Sequence, residues 1–324
     1  MRYIVYGAGA VGGVIGARLF EHDRDVVLIA RGAHLEAIRE RGLTIETPSS
    51  SHEARIPAVA HPSELQFSSD DVVFMTMKTQ HTEAALNDLH AVAGGEIPIV
   101  CAQNGVENER LALRRFSRVY AMLVILPATY LVPGMVQAQA APTSGILDAG
   151  CYPAGTDSLI VRVAADLDES GFSAHAVGDV MRWKYAKLLS NLGNALQAAC
   201  EPDEIAARLH ARMIGEALAC YRAAGIDWAS DAEMDDRRGA MSHLGTIAGS
   251  VRGGGSSWQS LARASGSIES DYLNGEIALL GRLHGIPTPV NVVLQQLGER
   301  MSREGMPPAS LTAAEIERQV GTQT

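Results

Sequence analysis

Cysteine, positive charge and long apolar runs are all scarce in this chain. Only four cysteines occur among 324 residues: Cys101, Cys151, Cys200 and Cys220. None stands in a C-x-x-C pair or beside a histidine at metal-ligand spacing. A disulfide framework and a thiolate metal site are thus excluded as organising elements, and the thiols read as reduced residues of a cytoplasmic protein. Lys and Arg number 27 against 37 Asp and Glu, a formal net charge of −10. A chain of this sign has no basic surplus to offset nucleic-acid phosphates or anionic lipid, so neither is an expected partner. An anionic small molecule must be held by local positive charge working against the global field. No apolar run approaches the about 18 residues of a membrane span. The first residues enter a strand at once (Arg2-Tyr3-Ile4-Val5-Tyr6), so no secretory leader is expected. The histidines include no i,i+4 pair of the zinc-binding type and no G-x-S-x-G elbow occurs, so no metal and no serine nucleophile are expected.

What the chain does have is apolar content, 47% of its residues, enough for two cores. Residues 2–6 form a short apolar strand, 7–13 a glycine-rich turn, 10–21 a helical pattern and 25–30 a second buried strand: one βαβ unit. Further strands are expected at 43–46, 56–59, 71–77, 97–102 and 119–126, with helices at 80–92 and 106–114. This alternation predicts a mostly parallel sheet covered on both faces. The Pro-, Gly- and Ala-rich stretch 128–156, with runs at 134–138 and 145–149, reads as an antiparallel extension of that sheet. A helix at 157–168 and a last strand at 173–177 follow. From 179 onward long helical patterns dominate, at 179–200, 203–224, about 231–250, 266–284 and 289–302, and no strand is expected. The fold class is therefore α/β, a Rossmann dinucleotide-binding domain over 1–178 followed by an all-helical substrate domain over 179–324, its tail 303–324 peripheral.

The turn reads Gly7-Ala8-Gly9-Ala10-Val11-Gly12, a G-x-G-x-x-G that follows a strand and opens a helix. Gly7 permits the tight turn, Gly9 lets backbone approach a pyrophosphate, and Gly12 lets the helix pack on the strand. The helix N-terminus then faces the phosphates. The second strand ends Ile29-Ala30-Arg31-Gly32, without the Asp or Glu that would bind a ribose 2′-hydroxyl. Arg31 stands where a 2′-phosphate would lie, and a planar guanidinium grips phosphate with two hydrogen bonds. The expected cofactor is NADPH.

Two more strand ends carry polar groups: Lys78 after 71–77, and Asn104-Gly105 after 97–102. Ligands of open α/β sheets bind at such carboxyl ends, so both residues are placed to face a nicotinamide or an anionic substrate. Farther on, the helix Trp183-Lys184-Tyr185-Ala186-Lys187-Leu188-Leu189-Ser190-Asn191-Leu192-Gly193-Asn194 puts Lys187, Asn191 and Asn194 on one face, with Lys184 near it. Hydride attack on a ketone builds negative charge on oxygen, and an ammonium can stabilise that charge and donate the proton. Either lysine of this helix could serve on pattern alone. Glu269 opens a further helix, where it could simply favour the dipole.

Taken together, these residues resemble the ketopantoate reductase (2-dehydropantoate 2-reductase) family of pantothenate biosynthesis, whose architecture is of the 6-phosphogluconate-dehydrogenase type. The resemblance runs over about 1–300. It rests on the glycine turn, Lys78, Asn104-Gly105, the W-x-x-x-K-L-x-x-N helix and the Ser-Ser…Glu-x-Asp-Tyr-x-Asn-Gly segment. It implies an NADPH-dependent oxidoreductase that reduces a small 2-oxo acid, ketopantoate, to the hydroxy acid. It puts the catalytic lysine at Lys187, since Lys-Leu-x-x-Asn matches 187–191. It implies cofactor contacts from Gly7, Ala8, Gly9, Ala10, Val11, Gly12, Arg31, Lys78, Asn104 and Glu269. Substrate contacts would come from Asn104, Lys187, Asn191 and Ser257. A homodimer is compatible with this reading. The chain departs from the family pattern at Ala195, where a second helix Asn is usual and Asn194 falls one residue early. It departs again at Trp258 and over 263–267. These changes leave room for a paralogous reductase of another oxo compound. A regulatory protein that binds nucleotide without catalysis is the alternative from another class.

Overall fold

The computed structural model describes residues 1–239, 243–247, 254–263 and 267–322. The chain divides into two units, Met1–Lys184 with Ser230–Arg252, and Tyr185–Ala229 with Gly253–Thr324. In chain order the first unit holds β1 (Arg2–Tyr6), α1 (Ala10–Glu21), β2 (Asp25–Ile29), α2 (Gly32–Arg41), β3 (Leu43–Glu46), β4 (Ser51–Ala54) and β5 (Ala58–Val59). There follow β6 (Asp71–Met75), α3 (Thr82–Ala93), β7 (Ile99–Cys101), α4 (Asn108–Leu113) and β8 (Val119–Ile125). Its first pass ends with β9 (Ala128–Thr129), β10 (Met135–Ala138), β11 (Ala140–Ala141), β12 (Ile146–Cys151) and α5 (Ser158–Glu169). α6 (Val180–Ala199) starts in the first unit and runs on into the second, which adds α7 (Glu204–Ala224). α8 (Asp231–Arg238) and β13 (His243–Leu244) return to the first unit. α9 (Ser256–Ala262), α10 (Asn274–His284), α11 (Pro289–Glu304) and α12 (Ala313–Gly321) complete the second.

The main sheet has seven strands in the order β12-β8-β7-β6-β1-β2-β5, parallel except for β12. Its central strands are buried on both faces, which is why they read as unbroken apolar runs. Tyr3 and Val5 join Ile15, Leu19, Ile160 and Leu167 beneath α1 and α5, while Ile4 and Met75 join Leu86, Leu89 and Phe116 beneath α3 and α4. The two clusters follow from strand alternation: successive side chains leave opposite faces of the pleat. From β1 the chain builds outward to β2 and later returns to place β6 on the other side of β1. That reversal makes the carboxyl ends of β1 and β6 a topological switch point, where this class of sheet binds ligands.

Several expectations are corrected. The 128–156 stretch divides: β12 does extend the main sheet antiparallel to β8, but β10 joins a separate four-stranded sheet, β4-β3-β10-β9, in which it runs parallel to β3. Residues 173–177 form bridges beside β12 rather than a strand. The helix expected over about 231–250 ends at Arg238, and β13 pairs with β11, so a strand does occur after 178. The helix expected from 266 begins at Asn274, after a single 3-10 turn at Ser270–Tyr272. Ser256–Ala262, where no element was expected, is helical. Residues 264–266 of the 263–267 segment lie outside the described residues.

The segment around α8 belongs with the first unit because long-range ion pairs hold it there. Arg237 makes two-pronged contact with Asp148 (2.6 and 2.7 Å) and also donates to Ser173, and Arg182 pairs with Glu233 at 2.9 Å. In the second unit α7, α10, α11 and α12 pack together around Leu209, Met213, Tyr221, Ile277, Leu294, Leu297 and Ile316. Within that core the carboxylate of Glu216 accepts from the backbone N–H groups of Val290 and Asn291, anchoring the free donors at the start of α11. Among the described residues no helix is long and apolar enough to cross a membrane.

Candidate functional site

The four strand ends singled out in the sequence leave the main sheet side by side. Tyr6 is in register with Ile29 and with Met75, and Met75 with Cys101. The loops carrying Gly7–Gly9, Arg31, Lys78 and Asn104 therefore leave one edge of the sheet, across its switch point. A dinucleotide fits this edge. Gly7 takes φ +109°, and a Cβ there would meet Met77 N at 2.9 Å. A Cβ on Gly12 would lie 2.3 Å from Gly7 O and 2.4 Å from Thr76 Oγ1, so only glycine lets α1 come this close. A Cβ on Gly9 would meet nothing within 4 Å, so backbone there is open to a ligand. Gly9 is also the N-cap of α1 and supplies no side chain to its free N–H groups. Those donors and the positive end of the helix suit a pyrophosphate.

Arg31 is the N-cap of α2, exposed, and its guanidinium makes no hydrogen bond or ion pair among the described residues. Burial, joined by the nearby charges of Arg31 and Lys78, pulls the His81 imidazole below its ordinary value. This corner is thus locally cationic in an acidic chain. His34, on α2, braces the glycine turn from behind. Its Nδ1 accepts from the Gly134 N–H (2.8 Å), which leaves the proton on Nε2 to donate to Ala8 O (2.6 Å). Burial lowers its pKa, partly opposed by the bond to Ala8.

Behind Lys78 and Asn104 lies a buried polar network. Gln103 Nε2 donates to Met77 O (2.7 Å) and Thr82 Oγ1 (2.8 Å), and the Thr82 hydroxyl donates to Asn108 Oδ1 (2.8 Å). Asn108 Nδ2 in turn donates to Thr79 Oγ1 and to Asn104 O, both at 3.1 Å. The Lys184 ammonium, only 3% exposed, completes the network. It lies 2.7 Å from Glu109 Oε1 and donates to Gln103 O (2.8 Å) and Met122 O (3.2 Å). Two of its N–H donors thus go to backbone carbonyls, and the Glu109 carboxylate compensates its charge.

Within the second unit, the Lys187 ammonium donates to Asn191 Oδ1 (2.9 Å) and Ser190 Oγ (3.3 Å). Asn191 is 5% exposed, and its Nδ2 has no hydrogen-bond partner among the described residues. Asn194, one turn on, donates to Ser256 Oγ at 3.4 Å, and Gln197 accepts from the Gly255 N–H. The polar face of α6 thus meets the start of α9, where Ser257 is buried. Ala195, in the place of the second family Asn, is buried as well. Glu269 is buried just before the 3-10 turn.

Sequence reasoning missed His34, Gln103, Asn108, Glu109 and the engagement of Lys184. The available signal was the polar run Gln103, Asn108, Glu109 within a segment whose neighbours Val106 and Ala112 are core residues. Polar groups in such company must find partners inside.

A family model described as ketopantoate reductase PanE/ApbA matches residues 3–153, and one for the C-terminal part of that enzyme matches 179–301. The 2-dehydropantoate 2-reductase of Caulobacter vibrioides is 30% identical over 305 aligned residues, covering 90% of this chain and 96% of that enzyme. Its namesake in Pyrococcus horikoshii is 29% identical over 191 residues, and this match spans 59% of the chain and 61% of that relative. The crystal structure of a PanE/ApbA family ketopantoate reductase from Ralstonia eutropha superposes with a TM-score of 0.79 at 28% identity, covering 94% of this chain and 99% of that one. A D-mandelate dehydrogenase bound to NADH and anilino(oxo)acetate also gives 0.79 over 94% and 99% of the two chains; at 21% identity that likeness is one of fold.

Proposed function

The chain belongs to the ketopantoate reductase family of oxidoreductases, and on that premise we propose that it reduces ketopantoate to pantoate, with NADPH as hydride donor and Lys187 as proton donor. Residues 1–178 then serve as the dinucleotide domain and 179–324 as the substrate domain. NADPH, when bound, supplies the hydride that reaches the ketone carbon. The residues Gly7, Ala8, Gly9, Ala10, Val11 and Gly12 hold its pyrophosphate at the N-terminus of α1, and Arg31 meets the 2′-phosphate. Lys78, Asn104 and Glu269 serve its nicotinamide end. The Lys187 ammonium stabilises the charge that develops on the ketone oxygen and delivers a proton to it, leaving a neutral amine. Asn191 Oδ1 orients that ammonium, while its buried Nδ2, without a hydrogen-bond partner among the described residues, is a ready donor to a substrate oxygen. Asn104 and Ser257 supply further substrate contacts.

The observation that carries this reading is the engagement of Lys184. Its ammonium is held by two backbone carbonyls and paired with the buried Glu109 carboxylate, so of the two candidate lysines Lys187 is the one beside a carboxamide whose Nδ2 has no hydrogen-bond partner among the described residues. The test compares kcat/KM with NADPH for ketopantoate, pyruvate, 2-oxoisovalerate and larger 2-oxo acids. Ketopantoate should lead, and Lys187→Ala should lower kcat by about 10²–10⁴-fold while NADPH still binds. A ketopantoate value below about 10² M⁻¹s⁻¹ beside a good value for another compound refutes the substrate. That outcome is the second reading, a paralogous oxo-acid reductase, and the buried Ala195 favours it by withdrawing one carboxamide from the polar face of α6.

A further inference from the structure

We infer that the buried Lys184–Glu109 pair is a positioning device for the reductase site proposed above: it fixes the peptide groups on either side of Asn104, and through them the strand ends that carry Asn104 and Lys78. The geometry is specific. Lys184 holds the carbonyl before Asn104, at Gln103 O (2.8 Å), and Asn108 holds the carbonyl of Asn104 itself (3.1 Å). Glu109 follows Asn108 in the first turn of α4 and sits 2.7 Å from the same ammonium. Gly105, next in line, takes φ +78°, so the chain turns sharply between these clamps. The clamp reaches the neighbouring strand end too. The Gln103 side chain holds Met77 O, and Asn108 holds Thr79 Oγ1, so the residues on both sides of Lys78 are tied to the same network.

Every member is sealed from water: Lys184 is 3% exposed, Gln103 4%, and Asn108, Glu109 and Thr82 0%. Neither Glu109 oxygen has a hydrogen-bond partner among the described residues, so this carboxylate depends on the nearby Lys184 charge for compensation. A buried ion pair costs desolvation that an apolar pair of similar volume would avoid, so its presence is better explained by the geometry it imposes than by stability. Lys184 itself touches no reacting atom in this scheme. It acts through Asn104.

The test uses the full-length protein. In Lys184→Met/Glu109→Gln the charges are removed together, so no lone buried charge remains. Lys184→Arg is the second variant. It keeps the charge, but its fork cannot place one nitrogen among three acceptors. Both are first checked for folding by circular dichroism and melting. The expected result is a kcat about 10–100-fold lower, the size of effect a misplacement near 1 Å produces. KM for the oxo acid should change less than about threefold, and the pH at which kcat falls should stay in place because Lys187 is intact. Amide hydrogen exchange over 102–105 should accelerate at least tenfold, about one RT ln 10 of lost protection. A folded variant with wild-type kcat, or unchanged exchange at 102–105, overturns the inference. A wild-type protein that reduces no oxo acid would sink the reductase reading instead, while the exchange data would still decide the clamp.

Discussion

The His34 brace makes a prediction whose size and sign both follow from its two hydrogen bonds. In the folded state the ring is 7% exposed and neutral, donating through Nε2 to Ala8 O and accepting at Nδ1 from the Gly134 N–H. Protonation would put a hydrogen on Nδ1 facing that N–H donor and charge a buried ring. Burial accordingly holds the pKa below the unfolded value of about 6.5. A depressed histidine binds fewer protons folded than unfolded, so stability rises with pH. The contribution is complete above about 6.5 and is lost as pH falls below it, down to the folded pKa. The slope in that window is at most about 1.4 kcal/mol per pH unit. The assay is native-state hydrogen exchange at Gly134, corrected for the intrinsic rate, between pH 7.5 and 5.5. Its opening free energy should shrink as pH falls below about 6.5, by no more than about that amount per unit. His34→Gln, which cannot charge, should flatten the dependence. His34→Ala at pH 7.5 should cost about 2–6 kcal/mol, since it strands a buried carbonyl and a buried N–H at about 1–3 kcal/mol each. The same variant should weaken dinucleotide binding, because Ala8 sits inside the glycine turn. A pH-independent opening energy at Gly134 in the wild type would refute the tautomer assignment and the brace with it.

Two further outcomes are expected. Arg31→Ala should lose about 1.5–3 kcal/mol of NADPH affinity, or roughly tenfold to a hundredfold in Kd, with little change for NADH; equal losses measured by titration calorimetry would remove Arg31 from the 2′-phosphate. Arg237→Leu should destabilise the first unit by about 3–5 kcal/mol, because Asp148 would be left a buried charge without its partner. The double variant with Asp148→Leu should recover most of that loss in thermal melts, and a single-variant cost under about 1 kcal/mol would contradict the burial argument.

The parts legible in the sequence are those whose cause is local. β1, the glycine turn, α1 and β2 announce themselves through apolar runs and glycines within 30 residues, and the structure has them at Arg2–Tyr6, Ala10–Glu21 and Asp25–Ile29. The strand ends carrying Lys78 and Asn104 follow from the same alternation. The rest depends on pairings distant in sequence. Arg237 finds Asp148 at a separation of 89 residues, and no periodicity near 237 signals it. β13 is two residues long and exists through its register with β11. The choice between Lys184 and Lys187 was likewise closed to pattern. Three residues apart, they differ by only about 60° around the helix, and it took Glu109, 75 positions away in the chain, to show what one of them holds.

The return of 230–252 to the first unit governs how separable the two halves are. The chain passes between them at 184/185, 229/230 and 252/253. A single cut therefore releases neither half intact. A fragment ending at residue 178 would lack Lys184 and Arg237, stranding the buried carboxylates of Glu109 and Asp148. Shuffling this nucleotide module into another protein would require carrying two discontinuous stretches at once.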